Sequence, residues 1–97
     1  MSRKTIRWTN RALRRLDEIG AHIEKDSPEA ASRVIARILA AAELLTEQPA
    51  MGRVGRIKAT RELVLVDIPY IIPYRVTADA VEILTIIHTA QQWPRTL

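Results

Sequence analysis

The chain has no cysteine and no phenylalanine, and its only aromatics are Trp8, Tyr70, Tyr74 and Trp93. The first absence excludes disulfides, a thiol nucleophile and any thiolate zinc site, and it fits a reducing compartment. The scarcity of aromatics speaks against RNA recognition by base stacking. No apolar run approaches the roughly 18 residues that span a bilayer. The opening "MSRKTIRW" is basic but lacks the apolar core of a signal peptide, so a cytoplasmic location is expected and no membrane partner. There is no phosphate-binding glycine loop, no dinucleotide fingerprint and no metal-ligand spacing. No cofactor and no metal site are expected.

What is present is a 97-residue chain with 47% hydrophobic residues, enough for one domain with one core. The formal net charge of +4 is unevenly spread. Residues 1–48 carry nine basic and seven acidic side chains, and residues 62–97 carry two and four. Between them, residues 49–61 carry Arg53, Arg56, Lys58 and Arg61 with no acid. A focused basic segment attracts phosphate backbones or an acidic partner; the plainer alternative is a solvated loop that keeps the protein dispersed.

Hydrophobic periodicity divides the chain in two. "KTIRW" puts Ile6 and Trp8 on one side of a short strand. Thr9 or Asn10 then caps a helix whose apolar stripe is Ala12, Leu16, Ile19 and Ile23, widened by Leu13 and Gly20. "DSPEA" breaks and restarts the helix: Ser27 suits the cap, Pro28 the first turn and Glu29 the positive end of the helix dipole. Ala31, Val34, Ile35, Ile38, Ala42 and Leu45 form the second stripe, so the two helices make an antiparallel hairpin. "PAMGRVGRIKAT" reads as a loop. Beyond it "ELVLV" (62–66), "YIIPYRV" (70–76) and "AVEILTIIH" (80–88) are β-rich and separated at hairpin distances, which predicts a three-stranded meander. Pro73 cannot donate to a ladder, so a bulge or an edge is expected there. The order is β-α-α-β-β-β, an α+β fold with the helix hairpin on one face of a mainly antiparallel four-stranded sheet.

The meander strands alternate apolar residues on both sides, and two helices cover only one face. The other is expected to be covered by a second copy or another chain, or else by the N-terminal segment and the tail carrying Trp93. For chemistry, metal-independent RNA cleavage needs a base, an acid and cations for the charged phosphorane. Arg61, Arg75 and His88 are the residue types for it, though spacing does not show whether they converge. A histidine ending an apolar strand is more often a hydrogen-bonded structural residue. His22, beside the first apolar stripe, reads as a surface or boundary residue.

The element order, "SPEAASRVIARILAAAELLTEQPAMGRVGR", "RELVLVDIPYIIPYRV" and the ending "VEILTIIHTAQQWP" resemble the RelE/ParE superfamily of bacterial toxins over nearly the whole chain. The Met51-Gly52-Arg53 loop, the Arg61-Glu62-Leu63 strand start, Tyr74-Arg75-Val76 and the His88…Trp93-Pro94 ending carry the likeness. The resemblance implies a toxin neutralised by a small antitoxin whose C-terminal segment wraps it, and operator DNA bound only through that antitoxin. It implies one of two activities: ParE-like poisoning of DNA gyrase, or RelE-like cutting of mRNA on the ribosome with Arg61, Arg75 and His88. Ile71 stands where RelE-like nucleases tend to have a basic residue, and the tail after His88 has only Arg95 charged, so the ParE-like branch is favoured. On this reading Leu13, Leu16, Val64, Val66 and Tyr74 are expected to meet the antitoxin, and Arg53, Arg56, Lys58 and Arg61 the target or nucleic acid.

Overall fold

The computed structural model describes residues 3–97. Its elements are β1 (Thr5–Trp8), α1 (Asn10–Glu24), α2 (Pro28–Leu44), β2 (Arg53–Val54), β3 (Arg61–Val64), β4 (Tyr70–Val76), β5 (Ala80–Ile83) and β6 (Ile87–His88). The Thr9 hydroxyl accepts the Ala12 N–H at 3.0 Å and the Ser27 hydroxyl accepts the Ala30 N–H at 3.1 Å, so both helices begin at side-chain caps. Ala12, Ile19, Ile38, Ala41, Ala42 and Leu45 pack with Leu63, Leu65, Tyr70, Ile72, Tyr74, Val81, Ile83 and Ile86 into one core between the hairpin and the sheet.

The sheet has six strands in the order β1-β5-β4-β3-β2, with β6 also on β4. β1 runs parallel to β5, and every other pairing is antiparallel. The four strands expected from sequence thus become six. A two-residue β2 forms within the basic loop, and residues 80–88 split in two. The split has a local cause. Ile83 pairs with Tyr74 and Ile87 with Ile71, so three residues face two across the ladder. The Pro73 carbonyl accepts the Leu84 N–H at 3.0 Å. Carbonyl and N–H of a strand residue point to the same side, so the donor that Pro73 lacks is missing toward β5 and β6. The extra residue of a bulge sits at that gap.

The bulge changes which side chains face the helices. Strict alternation from 80 to 88 groups Ile86 with Leu84. In the structure Ile86 joins Val81 and Ile83 in the core, and Leu84 and Ile87 turn to the far face. That far face is not bare: Ile71, Pro73, Leu84 and Ile87 are buried within the single chain. The helices lie on the opposite side, so the cover comes from the loop after β2 and the C-terminal tail, where the Arg56 guanidinium stacks 3.7 Å over Trp93. The expectation of a partner over this face gives way to the alternative, cover by the tail carrying Trp93. Among the described residues, the β3 side of this face stays open at Val64 and Val66.

Candidate functional site

The Met51-Gly52-Arg53 loop is anchored from the helix side of the sheet. Tyr74 and Arg61 are register partners and share that face. The Tyr74 hydroxyl donates to the Pro49 carbonyl at 2.7 Å and accepts the Gly52 N–H at 2.9 Å. The Arg61 guanidinium donates to the Gly52 carbonyl at 2.8 Å. A Cβ on Gly52 would lie 2.6 Å from the Tyr74 oxygen and 2.9 Å from the Glu62 carbonyl oxygen, so only glycine fits. Burial pushes the Tyr74 hydroxyl above the usual tyrosine range, opposed by the Gly52 hydrogen bond and the Arg61 charge. Tyr74 is 0% exposed. Its expected place on the open face is therefore corrected: alternation puts it opposite Val64, whose register partner is Ile71.

Arg53 and Arg56 lie on the far face. Glu62, only 2% exposed, accepts Arg53 Nε at 2.8 Å through one carboxylate oxygen and the Arg56 backbone N–H at 2.8 Å through the other. Arg56 Nε lies 4.0 Å from that second oxygen. Glu62 thus ties β2, the basic loop and, through Arg56 and Trp93, the tail. Sequence reasoning passed over it, although an isolated acid directly after four bases in an apolar strand was the available signal. Arg53 and Arg56 are brought together. Arg61 turns to the opposite face, and Lys58 has no ion-pair partner among the described residues.

Arg61, Arg75 and His88 do not converge. Arg75 lies on the far face against Glu82, at 3.2 Å. Arg61 and His88 share the helix-side face but pair with Tyr74 and Tyr70, four residues apart on β4 and on its opposite edges. That is about 13 Å along the strand and about 10 Å across it. His88 is embedded in its own turn. Its Nδ1 accepts the Ala90 N–H at 3.1 Å, its carbonyl accepts the Gln91 N–H at 2.9 Å, and its ring meets the Tyr70 ring edge-on at 5.2 Å. A ring nitrogen that accepts a hydrogen bond carries no proton, so the neutral imidazole bears its proton on Nε2. A shallow groove beside it is lined by Arg15, Glu18, Ile19, His22 and Tyr70. No group of three or more His, Cys, Asp or Glu among the described residues is placed to hold a metal.

Of the residues expected to meet an antitoxin, Leu13 and Leu16 lie on α1. Leu13 is exposed, while Leu16 is partly buried against the core. Val64 and the 95% exposed Val66 lie at the open β3 side. The two pairs occupy opposite layers of the molecule.

Residues 6–93 match the family model described as the ParE toxin of the type II toxin-antitoxin system parDE. The chain is 71% identical to the putative toxin Y4kP of Sinorhizobium fredii over the full length of both. It is 43% identical to toxin RelE2 of Caulobacter vibrioides, over 87% of this chain and 93% of that one. Its fold is similar to a chain of the chromosomal ParDE system of P. aeruginosa, with a TM-score of 0.80 and 27% identity over 88% of this chain and 95% of that one. It is also similar to a chain of the RelBE2 toxin-antitoxin complex of Mycobacterium tuberculosis, with a TM-score of 0.67 and 26% identity over 94% and 97%. The chain belongs to the ParE toxin family of type II toxin-antitoxin systems, within the RelE/ParE superfamily.

Proposed function

We propose that this toxin acts in the cytoplasm by poisoning DNA gyrase, and that a cognate antitoxin neutralises it. The observation that carries the choice over mRNA cleavage is the separation of Arg61, Arg75 and His88. General acid-base chemistry needs its groups within hydrogen-bond reach of one reacting atom. Here Arg75 is on the far face, and Arg61 and His88 stand at opposite ends of the near one. The lone pair a base would use on His88 is committed to the Ala90 N–H. An antitoxin partner is supported by the two toxin-antitoxin assemblies whose chains share this fold. It is supported also by the outer edge of β3, where β2 pairs only with Arg61 and Glu62. Met51, Gly52, Leu63 and Val64 line a groove there that an extended segment can enter.

The test uses toxin released from its antitoxin, and its His88→Asn variant, in which the amide oxygen replaces Nδ1 as acceptor. Both are expected to give gyrase-dependent linear plasmid in the presence of ATP, and to leave mRNA on programmed ribosomes intact. Codon-phased mRNA cuts by the wild type, lost by a hundredfold or more in His88→Asn, would replace the gyrase reading with the nuclease one.

A further inference from the structure

We infer that the far face of the sheet binds the phosphate backbone of duplex DNA through a band of four guanidinium groups. Arg7 on β1 and Arg75 on β4 flank Glu82 on β5, at 3.7 and 3.2 Å. Arg53 on β2 and Arg56 in the following loop flank Glu62 on β3, at 2.8 and 4.0 Å. The band therefore crosses the sheet from one edge strand to the other. That is four strand spacings, or about 19 Å.

The vertical order of the charges matters more than their number. The arginine side chains are 43–62% exposed, whereas Glu82 is 21% and Glu62 2% exposed. The carboxylates lie beneath and hold the guanidiniums in place; the cations form the outer layer. Four against two leaves two positive charges on this band. The helix layer differs: Asp17, Glu18, Glu24, Glu29, Glu43 and Glu47 are exposed among its arginines.

A polyanion suits such a band, and duplex DNA carries a negative charge every 1.7 Å or so of its axis. Single strands are recognised largely by stacking on aromatic side chains. This face offers no such platform: Trp93 is already capped by Arg56, Tyr70 and Tyr74 are buried, and Trp8 packs against the core on the other side. The surface is fitted to backbone charge rather than to bases. The inference goes beyond the gyrase reading, because a toxin can poison an enzyme without touching DNA.

The test is fluorescence anisotropy of a labelled duplex of about 20 base pairs with the full-length toxin at several salt concentrations. A single-stranded RNA of the same length runs in parallel. Micromolar duplex binding is expected, with log K falling against log salt at a slope of about −2 to −4. Arg7→Gln with Arg75→Gln should weaken binding about tenfold and flatten the slope by about 2, with the thermal melt confirming the fold. Glu82→Gln should tighten binding. Arg14→Gln with Arg33→Gln removes the same charge from the helices and should change little. Absence of duplex binding, an equal loss in the helix variant, or tighter binding of the RNA would each overturn the inference.

Discussion

Tyr74 shows how one side chain can hold a loop in place. It fills the core with its ring and ends in a hydroxyl that satisfies both the Pro49 carbonyl and the Gly52 N–H. Tyr74→Phe leaves those two groups without their partner, and about 1–3 kcal/mol of stability should go with it, read from the urea midpoint. Burial raises the folded-state pKa of this hydroxyl above its ordinary 10.0. Its contribution is therefore complete below the unfolded value and declines as pH climbs through the folded one. Between about pH 8 and about pH 11, wild type should lose more stability than Tyr74→Phe; parallel losses would contradict this. Tyrosine in an alternating apolar strand is legible as core, but the destination of its hydroxyl is not, because the acceptor is 25 residues away in sequence.

Among the elements, the basic loop and the C-terminal tail are coupled through side chains rather than through strand pairing. Glu62 binds Arg53 and the Arg56 backbone, and Arg56 caps Trp93. Removing the carboxylate takes away the loop's side-chain anchor and frees Arg56, leaving the tail to its α1 contacts from Arg11 and Arg15. Glu62→Ala should therefore speed amide exchange in residues 53–60 and 89–97 together. Faster exchange confined to the loop would show that the tail is held by other contacts. Both helices were legible from stripe and cap, since those signals are local. The bulge at Pro73 was legible as a discontinuity. Its effect on Ile86 and Leu84 was not, because parity beyond a bulge depends on which strand gains the residue.

At the scale of the molecule, two exposed apolar residues sit on opposite layers, Leu13 on α1 and Val66 beyond β3. An antitoxin that covers both has to pass around the protein. Leu13→Asp and Val66→Asp should then each weaken antitoxin binding by about tenfold or more, and their effects should add in the double variant, as expected for distant sites. Calorimetry on the three variants checks this. An effect from only one of them would place the antitoxin on one layer.

The sequence by itself determined the class of the fold, the helix hairpin with its caps, the discontinuity at Pro73 and the superfamily resemblance. Each rests on local periodicity, turn chemistry or a contiguous motif. Only the tertiary structure decided where the charges go. Arg53 and Arg61 start neighbouring strands and look alike in sequence, yet one lies on the far face over Glu62 and the other beneath the loop with Tyr74. His88 closes a strand in sequence; in the fold its ring is spent on its own turn, far from Arg61. The physical reason is that pairing register and sheet order set which side chains share a face. Both arise from contacts between segments distant in sequence, such as β1 beside β5, which no local pattern records.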